Sequence, residues 1–277
     1  MNAYNFADVQ IDSLITLTRL FYIHCYPQLI NNLKKHRPMK YMGSKNRFAK
    51  ELLPIILKDR TNGQYYVEPF AGGMNMIDKV TGNRIANDIN TDLIEMWKAL
   101  VCDDWIPNTF VSRKMYNEIR SNKKDYETWL VGWVGFNCSY SGKYFGGYAG
   151  KVKTKIGTER NYQAEARKNV DKQIPNLKGV VFTNQKYTDL DIPPNSIIYC
   201  DPPYQNTTKY STDFNHNLFW DWCRKKSKQG HKVYVSEYNA PSDFVCVWEK
   251  KAKSSLSANG VVGGNKISTE RLFIYCG

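Results

Sequence analysis

The chain has 277 residues, with 39 Lys and Arg against 26 Asp and Glu, for a formal net charge of +13. That length suffices for one α/β core plus an inserted subdomain, and the basic excess suits a polyanionic partner, because Lys and Arg contacts with phosphate release counterions and speed encounter. Seven cysteines without a C-x-x-C pair and four scattered histidines, His24, His36, His216 and His231, exclude a disulfide framework and give no metal-ligand spacing.

Residues 1–38 stand apart as an N-terminal extension. Ile11 to Tyr26 is apolar but is interrupted by Arg19 and is too short for a membrane span. Asp8 and Asp12 argue against a signal peptide. The expectation is a peripheral helix or extension with no membrane association. Cys102, Cys200, Cys223 and Cys246 each have an aromatic or apolar neighbour, which fits reduced core thiols and a cytoplasmic setting.

The first core segment spans residues 39–105. Tyr65 to Glu68 reads as a strand running into Pro69-Phe70-Ala71-Gly72-Gly73. A glycine-rich turn after the first strand of an α/β sheet lets the backbone approach a cofactor, with Glu68 at that edge. Arg84 to Asp88 reads as a second strand ending in a carboxylate, about twenty residues on, the spacing of a group that hydrogen-bonds ribose hydroxyls.

Residues 106–178 interrupt the strand pattern. A basic group opens the segment: Arg113, Lys114, Arg120, Lys123 and Lys124. Trp129 to Tyr148 follows, dense in aromatics and glycine, with Trp133, Phe136, Tyr140, Tyr144 and Phe145 among them. Basic residues interleaved with aromatics grip phosphates and stack on or wedge between bases. Asn137 and Lys143 are candidates for base edges. About half of these aromatics are expected to form the insertion's own core, since large aromatics bury most of their area.

The second core segment spans 179–277. Val180 to Thr183 reads as a strand, and the apolar run Ile197-Ile198-Tyr199-Cys200 leads directly into Asp201-Pro202-Pro203-Tyr204. The exocyclic amino nitrogen of adenine or cytosine is a poor nucleophile, because its lone pair is delocalised into the ring until the nitrogen turns tetrahedral. Two acceptors aimed at its N–H bonds favour that geometry. The Asp201 carboxylate supplies one and the Pro202 carbonyl the other, with φ fixed by successive prolines. Tyr204 offers a ring for stacking. A base held this way has left the duplex. Lys232 to Ser236 and Arg271 to Tyr275 read as further strands, and Trp248 to Lys251 precedes a Lys- and Ser-rich loop with Lys253, Ser254 and Ser255.

Together these segments resemble the Dam-type family of S-adenosylmethionine-dependent adenine-N6 DNA methyltransferases. The resemblance rests on Lys40 to Lys45, Val67 to Gly73, Asn87 to Ile94 and Tyr199 to Tyr204. It runs from about residue 39, which makes Met39 a candidate start. It implies a Rossmann-like methyltransferase core with a mostly parallel seven-stranded sheet, its last strand antiparallel, and an inserted target-recognition subdomain at 106–178. It further implies direct in-line methyl transfer, without a covalent enzyme intermediate, to a flipped-out adenine of double-stranded DNA; the scattered histidines give no support to a metal.

By the same resemblance, Tyr41 and Lys45 lie against the methionine end of the cofactor, Phe70 and Gly72 shape its pocket, with Glu68 beside them, and Asp88 binds the ribose. Asp201 and Tyr204 hold the adenine, with the Pro202 carbonyl as the second acceptor, and residues 106–178 are the target-recognition region, in which Arg113, Lys114, Asn137, Tyr140, Lys143 and Tyr144 are the candidate DNA contacts read from the sequence. Two departures stand out. Met74 replaces a third glycine, and Lys186 stands where many relatives carry a carboxylate for the cofactor's adenine amino group. Cytosine-N4 methylation and a catalytically silent DNA-binding relative remain alternatives at this point. The sequence specifies neither a restriction endonuclease partner, as in restriction-modification, nor an oligomeric state.

Overall fold

The computed structural model describes residues 37–107, 110–154, 156–204, 214–253 and 267–277. The apolar stretch of the first 38 residues and most of the Lys- and Ser-rich loop lie outside them. Residues 37–277 form one unit.

Seven strands make the main sheet: β1 (Tyr66–Glu68), β2 (Arg84–Asn87), β5 (Val180–Thr183), β6 (Ile197–Cys200), β7 (Lys232–Glu237), β8 (Phe244–Lys253) and β9 (Ile267–Tyr275). Their order is β5-β2-β1-β6-β7-β9-β8. The first five pair in parallel, whereas β9 runs antiparallel to both β7 and β8. The expected seven-stranded sheet and its antiparallel last strand are therefore present. The order reverses between β1 and β6, and a ligand crevice forms outside the carboxyl ends of strands at such a switch point.

Central strands read as short apolar runs because both faces are covered. Tyr66, Ile197 and Tyr199 join one hydrophobic cluster, and Val67, Ile198 and Cys200 the other. The first face is covered by α1 (Ala49–Ile56), α2 (Thr91–Val101) and α5 (Tyr162–Leu177). The second is covered by α6 (His216–Lys228) through Phe219, Trp220, Trp222 and Cys223. Local caps fix the helix starts: the Asn90 side chain accepts from Leu93 N, Asn161 from Gln163 and Ala164 N, and Asn215 from Leu218 N.

The inserted segment holds α3 (Arg113–Ser121), α4 (Thr128–Asn137) and the hairpin β3 (Lys151–Lys153) with β4 (Glu159–Asn161). Helix α4 is apolar on every side, the mark of a buried helix. It lies so close to α2 that a Cβ on Gly132 would collide with the Asp92 backbone carbonyl. Val131, Trp133, Val134 and Phe136 thus belong to the same cluster as Leu93, Met96 and Trp97, and the insertion is continuous with the core on this side.

Candidate active site

At the carboxyl end of β1 the chain turns through Pro69 to Gly73. Gly72 has φ of +50°, and a Cβ there would stand 2.7 Å from Tyr41 Cε1; at Gly73 it would stand 2.6 Å from Tyr41 Cβ. The glycines therefore admit the Tyr41 ring against the turn, and that ring stacks on Phe136 with centroids 5.7 Å apart. Met74 also has positive φ, +60°, while its side chain is fully buried. The expected narrowing of backbone freedom at Met74 is met by a methionine held in a glycine-like conformation by its packing.

Asp88, just past β2, ties this turn to α2. Its Oδ2 accepts from Gly72 N at 3.0 Å and its Oδ1 from Asn90 N at 2.9 Å. Burial raises its pKa, and these backbone bonds oppose the rise. A carboxylate has about four lone-pair sites, so Asp88 retains acceptor capacity for hydroxyls. Phe70 sits in an aromatic group with Tyr187 at 5.3 Å, Phe219 at 5.7 Å and Phe214 at 5.8 Å. Lys186, next to Tyr187, is exposed. Glu68 is buried rather than presented at the sheet edge, and its Oε1 accepts the Tyr66 hydroxyl at 2.9 Å. Burial pushes its pKa well above the usual carboxylate range, with Asp78 and Asp201 adding to the rise.

The Asp-Pro-Pro-Tyr segment leaves β6 beside this turn. Lys45, in a short 3-10 turn (Lys45–Phe48), brings its ammonium 2.9 Å from Asp201 Oδ1, 3.8 Å from Glu270 Oε2 and 4.4 Å from the centre of the Tyr204 ring. Lys45 was expected against the methionine end of the cofactor; in this structure it rests on the two groups expected to hold adenine. The Tyr204 hydroxyl donates to Glu270 Oε2 at 3.0 Å, and the ring meets Tyr238 edge-to-face at 4.7 Å. Burial raises the Asp201 pKa, and the Lys45 ammonium is the main opposing influence. Tyr204 is pushed well up by burial and by the carboxylates around it. Pro202 is buried.

The DNA-facing residues expected in the insertion separate into two sets. Arg113, Lys114, Tyr140 and Lys143 are exposed, and Arg113 lies over the Tyr148 ring at 4.8 Å. Asn137 is buried, and its amide donates to Met96 Sδ at 3.4 Å, so it is not presented to a duplex surface. It lines a cavity of about 240 Å³ with Lys40, Tyr140, Arg160 and Tyr162. Tyr144 is half-buried between Phe136 and Phe145, and its hydroxyl donates to Asp92 Oδ2. Both follow from the apolar character of α4, which draws neighbouring polar groups into the core. Of the aromatics, Trp133, Phe136 and Phe145 are buried and Tyr140 is exposed, close to the expected half.

Sequence reasoning missed Glu270. Its strand was read as starting at Arg271, one residue later, and its partners are remote in sequence. Among the described residues no group of three or more His, Cys, Asp or Glu is placed to hold a metal, and no helix is long and apolar enough to cross a membrane.

The model of the D12 class N6 adenine-specific DNA methyltransferases matches residues 41–262. The chain belongs to that family. The motif-based resemblance is thereby borne out. The chain is 25% identical over 242 residues to the type II methyltransferase M.FokI of Planomicrobium okeanokoites, covering 74% of this chain and 36% of that protein. It is 25% identical over 257 residues to the modification methylase StsI of Streptococcus sanguinis, covering 82% and 38%. Against the type II methyltransferase M.MjaIII of Methanocaldococcus jannaschii it is 26% identical over 244 residues, covering 73% and 84%. The chain thus spans little more than a third of the length of the first two relatives and most of the third.

Proposed function

We propose that this D12-family chain transfers a methyl group from S-adenosylmethionine to N6 of an adenine turned out of double-stranded DNA. One observation carries the reading: a single cation, the Lys45 ammonium, rests at once on the Asp201 carboxylate and over the Tyr204 ring. A group that donates N–H bonds to Asp201 while lying over Tyr204 is what an adenine presents by its amine and ring.

The residues at the switch point fit the cofactor. Gly72 and Gly73 let the Tyr41 ring close against the turn, Asp88 offers acceptors for ribose hydroxyls, the aromatic group of Phe70 and Tyr187 suits a flat base, and Lys45 suits a carboxylate. S-adenosylmethionine held there supplies an electrophilic methyl group. The chain's own part is to bind the base and handle its proton. Tyr204 stacks the extruded adenine. Asp201 and the Pro202 carbonyl accept its two N–H bonds, which localises the nitrogen lone pair for attack. The proton that the amine sheds passes to Asp201, whose partly buried carboxylate holds a proton more readily than an exposed one. For this to happen Lys45 must leave Asp201; with S-adenosylmethionine bound, the cofactor's carboxylate would offer the Lys45 ammonium an alternative counter-ion. Arg113, Lys114, Tyr140 and Lys143 are the proposed duplex contacts.

Mass spectrometry of nucleosides from unmethylated duplex DNA, incubated with the protein and S-adenosylmethionine, tests the proposal. N6-methyladenine is expected. N4-methylcytosine would reassign the base, and no methylated nucleoside would reject the activity. Asp201→Ala is expected to lower the rate by roughly a hundredfold or more, the scale of losing one preorganised electrostatic partner, with cofactor affinity little changed.

A further inference from the structure

Glu270 lies on β9, in register opposite Lys250, and is buried. Its Oε2 accepts the Tyr204 hydroxyl at 3.0 Å and stands 3.8 Å from Lys45 Nζ, and its Oε1 is 3.9 Å from Arg47. A buried carboxylate is costly to desolvate even when paired, and well-packed apolar residues often serve stability as well or better. Its presence at this place therefore calls for a reason beyond packing.

Tyr204 supplies one. Its backbone end follows two prolines whose φ is fixed. Its hydroxyl end is held by Glu270 at 3.0 Å, with the Asp201 carboxylate as a second hydrogen-bonding neighbour. The edge-to-face Tyr238 ring at 4.7 Å limits rotation from the side. A ring that stacks a base must keep one plane, and a phenol anchored only at Cβ is free to turn.

We propose that Glu270 is a positioning residue of the methyl-transfer site, which fixes the Tyr204 ring plane for the target adenine by accepting its hydroxyl. The inference rests on the methyltransferase reading for its catalytic consequence, while the anchoring itself is independent of turnover. The antiparallel strand β9 thus contributes to a site otherwise built at the carboxyl ends of parallel strands.

The test uses the full chain with Tyr204→Phe, Glu270→Gln, Glu270→Ala and the double variant Tyr204→Phe with Glu270→Ala. In protein labelled with 13C at tyrosine Cζ, the Tyr204 resonance, assigned by its loss in Tyr204→Phe, is expected to shift in Glu270→Ala and to stay near the native position in Glu270→Gln, whose amide oxygen still accepts. Single-turnover methylation at saturating S-adenosylmethionine is expected to fall about tenfold in Glu270→Ala and in Tyr204→Phe, the scale of one lost hydrogen bond, and no further in the double variant. Glu270→Gln is expected to stay within about threefold of the native rate, and affinity for S-adenosylhomocysteine within about twofold in all variants.

Additive losses in the double variant, equal losses in Glu270→Gln and Glu270→Ala, or an unmoved resonance in Glu270→Ala would each overturn the proposal. Should Glu270→Ala not fold, Glu270→Gln alone and combined with Tyr204→Phe decides in its place: a loss that persists without the Tyr204 hydroxyl refutes the anchoring role. If the native protein methylates no DNA, the methyltransferase reading fails, and the resonance alone decides whether Glu270 holds Tyr204.

Discussion

Lys45→Met removes the only cation seen on Asp201 among the described residues while keeping a side chain of similar length. The ammonium stands 2.9 Å from Asp201 Oδ1, and the two side chains are 8% and 21% exposed. Removing one partner of a fully buried pair costs about 3–5 kcal/mol; the part of Asp201 that water still reaches lowers this to about 2 kcal/mol. For a fold of this size that corresponds to a fall of about 4–8 °C in Tm. The loss depends on pH with a definite sign. Burial already raises the Asp201 pKa and Lys45 is the chief group opposing that rise, so without Lys45 it climbs further. Above the variant's Asp201 pKa the carboxylate is charged and uncompensated, and the full loss is present. As pH falls through that pKa, Asp201 takes a proton, needs no counter-ion, and the loss fades. Thermal unfolding by circular dichroism without cofactor, from about pH 8 to about pH 5, should therefore show a native-minus-variant Tm gap that narrows in acid, and that is smaller and less dependent on pH when Asp201→Asn is present in both chains, where only the Lys45 contacts with Glu270 and the Tyr204 ring remain. A gap of constant size would refute this reasoning and assign the loss to packing.

Two further substitutions separate competing effects. Met74→Gly relieves a left-handed strain of about 1–2 kcal/mol but empties the site of a fully buried methionine, a loss of about 2–5 kcal/mol, so Tm should fall, and a rise would show that strain outweighs burial. Glu68→Gln keeps an acceptor for the Tyr66 hydroxyl and removes a carboxyl whose folded pKa is pushed well up by burial; the native chain loses stability as pH rises from the ordinary carboxylate range towards that raised value, so the variant's Tm advantage should grow with pH, and a pH-independent difference would count against the assigned cause.

The clearest part of the fold in the sequence was the part with both faces buried. Strands β1, β2 and β6 announce themselves as buried runs ended by Glu68, Asp88 or Asp201, because a central parallel strand has no solvent face and functional groups collect at its carboxyl end; the edge strand β5 is read from Val180-Val181-Phe182 although Val181 is exposed. Strand β8 was not legible, since Val245 and Val247 are exposed along an edge and a bulge between Cys246 and Trp248 breaks the alternation. The hairpin β3–β4 is short and exposed on β3, so it leaves no apolar pattern. In the insertion, composition misled at Asn137 and Tyr144. Polar and aromatic residues near basic ones suggested a DNA surface, whereas the glycine spacing of Gly132 and Gly135 signals close approach. A Cβ on Gly135 would meet the Tyr144 ring at 2.5 Å, and that contact draws Tyr144 inward. Glu270 had no local signal at all, because its role is set by a hydroxyl 66 residues away in the chain.

One buried amide links the insertion to the glycine turn. Gln173 on α5 has no solvent exposure; its Oε1 accepts from Met39 N at 2.9 Å, and its Nε2 donates to Gly73 O at 3.0 Å, Asn75 Oδ1 at 3.1 Å and Met74 O at 3.2 Å. Asn75 in turn donates to Met39 O at 3.0 Å and Ser44 Oγ at 2.7 Å. A fully satisfied polar network in a low-dielectric interior is rigid, because each group has one orientation that leaves no partner unpaired. Three stretches far apart in sequence, the Met39 to Lys45 segment that carries the site's ammonium, the turn that carries Gly72, and the helix that closes the insertion, are held as one piece. The glycine turn and the segment that carries Lys45 are therefore set against each other by buried amides that lie outside the Asp-Pro-Pro-Tyr segment, which is why that segment alone, informative as it is about chemistry, does not specify the geometry around it.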